Sequence, residues 1–167
     1  MILDYGAPTD MSNKTSPDAL KLYNQLARYP AGKWLFSKLV GWRAPYFASI
    51  GGDFKELRAG FVEVHLKNRR KVHNHIGTVH ALAIGNLCEL AAGTLIEASL
   101  PKHLRWIPKG MTISYLKKAA TDLRAVCEIE APEQLQPGDL PMLINVYDGN
   151  DVVVVSAIIT MWISARQ

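Results

Sequence analysis

Hydrophobic and polar positions along this chain change their spacing three times, and each change predicts a different kind of element. Leu20, Leu22, Tyr23, Leu26 and Ala27 recur at helical spacing. Ser16-Pro17-Asp18 supplies a start, with Ser16 as cap and Pro17 at the first helical position, and Pro30-Ala31-Gly32 an end. A second helix is predicted over Lys33–Val40, carrying Trp34, Leu35, Phe36 and Leu39, with Gly41 closing it. From Tyr46 the period falls to two. Val62, Val64 and Leu66 alternate with Glu63, His65 and Lys67, the pattern of a half-buried strand. Two strands are expected, over 46–58 and 61–68, joined by a turn at Ala59-Gly60.

The second change is the one the rest of the chain is organised around. After the polar cluster His73, Asn74, His75 and a turn at Gly77, the stretch Val79–Ile96 is apolar except for His80, Asn86, Glu89 and small threonine. A segment apolar all round reads as a helix enclosed by the rest of the protein. A carboxylate within it must be solvated, paired or protonated, because burying it bare is costly. Pro101 and Pro108 then mark loops. Strands follow over 111–116, 123–130, 142–147 and 152–163, the last two separated by the hairpin signal Asp148-Gly-Asn-Asp151. No helix intervenes between these strands, so they should pair antiparallel.

Composition narrows the class. The 167 residues suit one domain with a substantial core, and 49% hydrophobic with 20% charged residues fits a globular chain. A net charge of +4 favours an anionic ligand without implying nucleic acid. Cys88 and Cys127 lie in apolar runs and read as buried thiols, not a disulfide. The first 15 residues look like a loose leader without a secretory signal. The apolar run is too short and too polar at three positions to span a bilayer. A cytoplasmic protein with no membrane partner is expected. His73, His75 and His80 lack a carboxylate or cysteine at convincing metal-ligand spacing.

The order of elements, together with Asn74, Gly77, His80, Ala81 and Glu89, resembles the hotdog fold and within it the PaaI-like acyl-CoA thioesterases. That pattern is an asparagine, a glycine three residues on, a histidine three further, small residues, then an acid along the helix. Gly110–Leu116 is similar to the strand that follows the helix in that family. The resemblance covers roughly residues 46–165. It implies an α+β fold in which a curved antiparallel sheet wraps one long helix. Residues 1–45 would be a leader and extra helices packed on a hotdog domain at 46–167.

For function the resemblance implies thioester hydrolysis of an acyl-CoA, coenzyme A being part of the substrate and no cofactor being needed. Glu89 would be general base or nucleophile, Asn74 would position water or the substrate carbonyl, and His80 would orient them. The amide of Ala81, in the first helical turn, would polarise the thioester oxygen, since free N–H groups there make an oxyanion site. Lys67, Arg69, Arg70 and Lys71 are candidates for the coenzyme A phosphates, with Lys117 and Lys118 weaker ones. Gly77 would shape the substrate loop. Nine residues on one helix put His80 and Glu89 on opposite faces, about 13 Å apart along the axis. They can share a site only if two copies pair, as in the homodimers or dimers of dimers of related thioesterases.

Two positions depart from the pattern. Ala81-Leu82 stands where the family commonly has two glycines, and the helper hydroxyl falls near Pro108, leaving Thr112 or Ser114 as substitutes. These departures support an alternative, a non-catalytic hotdog module that binds acyl-CoA or lipid. A hotdog hydratase fits the spacing poorly. Each residue also has a plainer role: Asn74 as a turn cap, His80 satisfied by backbone, Glu89 as a paired structural carboxylate, the basic run as a solvated strand end. Trp34, Trp42, Trp106 and Trp162 read as packing.

Overall fold

The computed structural model describes residues 16–166; the leader expected over 1–15 lies outside them. Helices α1 (Ser16–Leu26), α2 (Gly32–Arg43) and a single turn α3 (Pro45–Ala48) come first. Strands β1 (Asp53–Arg58) and β2 (Phe61–Leu66) precede the long helix α4 (Ala81–Ser99). Then come β3 (Leu104–Tyr115), β4 (Leu123–Glu128), β5 (Gly138–Tyr147) and β6 (Val153–Ala165).

All six strands form one antiparallel sheet in the order β1-β2-β4-β5-β6-β3. The chain leaves β2, runs through α4, and lays β3 at the far edge before β4 returns beside β2. Every strand touches α4, so the sheet wraps the helix. This is the hotdog architecture that the element order implied. Leu87, Cys88, Ala91, Ala92, Leu95 and Ile96 on α4 are fully buried, facing a sheet lining that includes Val62, Val64, Ala125, Ile144 and Ala157. By length and composition α4 could cross a membrane, but most of it is enclosed by the fold. It is a core helix.

The N-terminal helices join the same core. Tyr23, Phe36 and Phe54 stack edge to face at 5.2 Å centroid spacings, tying α1, α2 and β1 together. Lys33 Nζ and the Tyr23 hydroxyl both donate to the Lys55 carbonyl.

Several local expectations give way to packing. The strand expected over 46–58 begins only at Asp53. Pro45 starts a helical turn, and the buried Asn86 amide donates to Tyr46 O (3.2 Å) and Ser49 Oγ (3.3 Å), holding that turn against α4. Gly41 does not close α2. The helix runs on to Arg43, and a Cβ at Gly41 would stand 3.2 Å from Ala48 Cβ, so glycine there permits the close approach of α3. The strand expected from Met111 begins at Leu104, and Pro108 lies inside it. Pro108 sits beside a bulge on an edge strand, where a missing N–H is tolerated. Trp34 and Trp42, expected to pack, are 57% and 81% exposed.

Candidate functional site

The loop between β2 and α4 is fixed by its own polar groups. Asn68 receives the Asp122 carboxylate at its amide N–H (2.8 Å), donates to Ala120 O (2.7 Å), and meets the His73 ring through Oδ1. Asn74 closes the turn that follows. Its Oδ1 accepts from the amides of Ile76 and Thr78, each at 3.1 Å, and its Nδ2 donates to Thr78 Oγ1 at 2.8 Å. Gly77 donates to Asn74 O and has φ +79, a conformation that favours glycine. Asn74 therefore caps a turn in this structure, with both ends of its amide engaged.

The loop ends in the start of α4. His80 N donates to Val72 O, and Val79 N to Ala119 O, which pins the helix start to two neighbouring segments. The His80 ring is the N-cap: Nδ1 accepts from Leu82 N at 3.0 Å. The amides of Ala81 and Ala83 have no acceptor among the described residues. Two N–H groups of the first turn thus remain free for an anion or a polarised carbonyl oxygen, where the helix dipole adds to their field.

Glu89 lies two and a half turns further along α4. It is half-buried and has neither a hydrogen bond nor an ion pair among the described residues. It is not joined to Asn74, His80 or Ala81. On the helical wheel its neighbours are Gly85 and Leu82, the latter 71% exposed. Leu82, Gly85 and Glu89 thus form a short strip of α4 that is exposed or half-buried and ends where Ala92 and Gly93 are buried. The inward face of β3 flanks it, with Met111 and Tyr115 partly exposed and Pro108 on the same side. The Tyr115 hydroxyl donates to Ala81 O at 3.2 Å, and burial pushes that phenol above its ordinary value. Sequence reasoning passed over Tyr115, although period-two alternation puts it on one face with Met111 and Ile113. Thr112 and Ser114 alternate to the other face of the sheet, away from Glu89, pairing with Ile158 and Ser156.

The basic run divides. Lys67 and Arg69 border a cavity of about 510 Å³ of mixed lining, in which Lys38, Lys55, Asp53 and Asp122 stand beside Trp34, Phe54 and Leu90. Arg69 Nη2 donates to Ile50 O at 3.0 Å and lies over Gly51. Arg70 and Lys71 sit in a 3-10 turn, exposed, and do not border that cavity. A second cavity of about 520 Å³, mostly apolar, lies between α1, α2 and α4. At its floor Trp106 Nε1 donates to Glu97 at 2.8 Å, a pair the sequence did not suggest. Among the described residues no three His, Cys, Asp or Glu side chains gather as a metal site.

Comparison with known proteins supplies the family. A crystal structure from a structural-genomics programme is 45% identical, superposes with a TM-score of 0.79, and pairs 90% of this chain with 99% of its own. A Pseudomonas aeruginosa protein of unknown function, described as a probable thioesterase, is 22% identical over 83% of this chain and 97% of that one, TM-score 0.73. A hypothetical thioesterase from Streptococcus pneumoniae, crystallised with coenzyme A, is 19% identical over 70% and 90%, TM-score 0.59. No curated protein is a significant match. These neighbours share the hotdog fold; residues 32–163 match the model of a domain of unknown function, DUF4442, and the chain belongs to that family.

Proposed function

We propose that this protein hydrolyses an acyl-CoA thioester at a site completed by a second copy of the chain. The observation that carries the reading is Glu89: a half-buried carboxylate without a partner, on a short open strip of a mostly enclosed helix. A carboxylate so placed can take a proton from a bound water, and the free first-turn amides lie about two turns away on the same helix. Two antiparallel copies would set Glu89 of one opposite the Asn74–Ala83 end of the other.

The sheet offers a surface for that pairing. Among the described residues β3 bonds to β6 on one side and has no partner on the other, a 12-residue edge with Ile107, Met111 and Tyr115 exposed along it. Long open edges with apolar side chains invite pairing. Gly85 lies beside Glu89, and a Cβ there would meet nothing within 4 Å in the single chain. A mid-helix glycine with no intramolecular reason suits the close approach of a second backbone.

In such a site Glu89 takes a proton from water as the water oxygen attacks the thioester carbon. The Ala81 and Ala83 amides hold the oxyanion, and the tetrahedral species collapses with loss of the coenzyme A thiol, which leaves with a proton. His80 and Asn74 hold the helix start and its loop in register. Lys67 and Arg69 supply positive charge for the phosphates. The likeness to a coenzyme A-bound hotdog protein supports this ligand class.

The test is thiol release from a panel of acyl-CoA esters, short, long and aryl-acetyl, by wild type and Glu89→Gln. Loss of a general base lowers the rate by about 10²–10⁴-fold. Unchanged hydrolysis by the variant would sink the assignment. A second reading, an acyl-CoA or lipid-binding module without chemistry, is favoured by Asn74, whose amide is consumed by its own turn, and by Pro108, which occupies the inward face near Glu89 without a hydroxyl. Saturable binding of the same esters without turnover would select it.

A further inference from the structure

The helix α2 is apolar on both sides. Phe36 and Val40 face the core, Leu39 lies on the flank at 36% exposed, and Trp34, Leu35 and Trp42 are exposed away from the core. Apolar residues on every side normally mean enclosure, yet this side is open. Leu22 of α1, which lines a cavity with Leu39 and Trp42, extends the same exposed apolar surface.

The helices that carry it are basic, with Asp53 and Glu97 at the borders of the neighbouring cavities. From Ala19 to Gly52 the chain has Lys21, Arg28, Lys33, Lys38 and Arg43 and no acidic residue. Those five cations exceed the whole chain's net +4, so the remainder is close to neutral. Lys38 Nζ lies 5.5 Å from the centre of the Trp34 ring, placing a cation directly beside an exposed indole.

We propose that the outer face of α2, with the adjoining part of α1, docks this protein on an anionic lipid surface. Indole and leucine side chains flanked by lysine and arginine are the composition of a helix lying in the headgroup region. Tryptophan favours that depth because its ring is apolar and its N–H polar. A nucleic acid would be served by the cations and not by four large apolar side chains. The apolar cavity between α1, α2 and α4 opens between Leu22, Leu39 and Trp42, on the same surface. Apolar groups at the docked face therefore have a recess to enter. The inference concerns attachment and stands whether or not Glu89 is catalytic. It departs from the expectation of no membrane partner, which rested on the absence of a span.

The experiment is sedimentation of the full chain with vesicles of phosphatidylcholine alone or of phosphatidylcholine with phosphatidylglycerol. Wild type is expected to pellet with the anionic vesicles only, and to be released by salt. The exposed indole makes Trp42→Ser tolerable to the fold, which circular dichroism and the melting temperature check. That variant should weaken partition roughly tenfold. Lys38→Glu combined with Arg43→Glu should weaken it by at least about fivefold for each cation removed. Equal behaviour on both vesicle types, or variants that bind like wild type, would overturn the proposal. So would sedimentation velocity showing that Trp42→Ser converts a larger assembly into a smaller one, because the face would then be covered by a second copy.

Discussion

Single residues in the loop before α4 separate structural from chemical roles. Asn74 accepts two backbone amides through Oδ1 and donates through Nδ2 to Thr78. Asn74→Asp keeps the two acceptors and removes the donor. Because the proposed mechanism uses Asn74 only to hold the loop in register, this variant should melt within a few degrees of wild type and keep most thioester hydrolysis. Asn74→Ala removes both, and leaving two amides unsatisfied costs about 1–3 kcal/mol. Loss of hydrolysis by a stable Asn74→Asp variant would instead give the Nδ2 donor a part in the chemistry beyond the turn. Gly85→Ala argues the second copy. With open space around the added methyl, the single chain should gain up to about 1 kcal/mol from helix propensity. Self-association measured by sedimentation should weaken. If self-association is unchanged, the Leu82–Gly85–Glu89 strip of α4 is not an interface between copies.

At the scale of elements, legibility followed how local the cause was. The alternation of Val62, Val64 and Leu66, the turn at Gly60 and the hairpin at 148–151 are local signals, and β2, β5 and β6 appear where they point. The all-round apolarity of 79–96 identified α4 as the core helix. Misreadings arose where a distant segment decides. Gly41 resembles a helix stop, but its function is set by Ala48, seven residues on, pressing against α2. Gly41→Val should force α3 off Asn86 at a cost of about 1–3 kcal/mol in chemical denaturation. A neutral result would mean that α3 is held only by its own turn. Trp34 and Trp42 illustrate the same limit: apolarity shows on a sequence, but which apolar side of α2 faces the core depends on β1 and α1. The partial legibility of the candidate site has the same cause. Asn74, His80 and Glu89 stand at recognisable spacings, whereas the Tyr115–Ala81 and Trp106–Glu97 contacts join β3 to α4 across the fold.

For the molecule as a whole, the two thiols report how well the sheet seals against the helix. Cys88 on α4 and Cys127 on β4 are free, fully buried, and pushed up by burial from 9.0 to about 12. Cys88 also feels Cys127, and a backbone hydrogen bond partly offsets the burial of Cys127. In the unfolded chain each thiol deprotonates near its ordinary value, whereas in the fold it keeps its proton. Between about pH 9 and 12 the native state therefore binds more protons than the unfolded state, and stability falls as pH rises. The contribution is complete below pH 9 and declines by about 1 kcal/mol per pH unit for each thiol above it. Urea denaturation across that range should show the decline. Cys88→Ala with Cys127→Ala should be somewhat less stable at neutral pH, having lost buried sulfur, yet show a flatter alkaline profile. The same steepness in the variant would place the alkaline sensitivity elsewhere, and rapid modification of either thiol in native buffer would show that the seam between α4 and β4 opens without global unfolding.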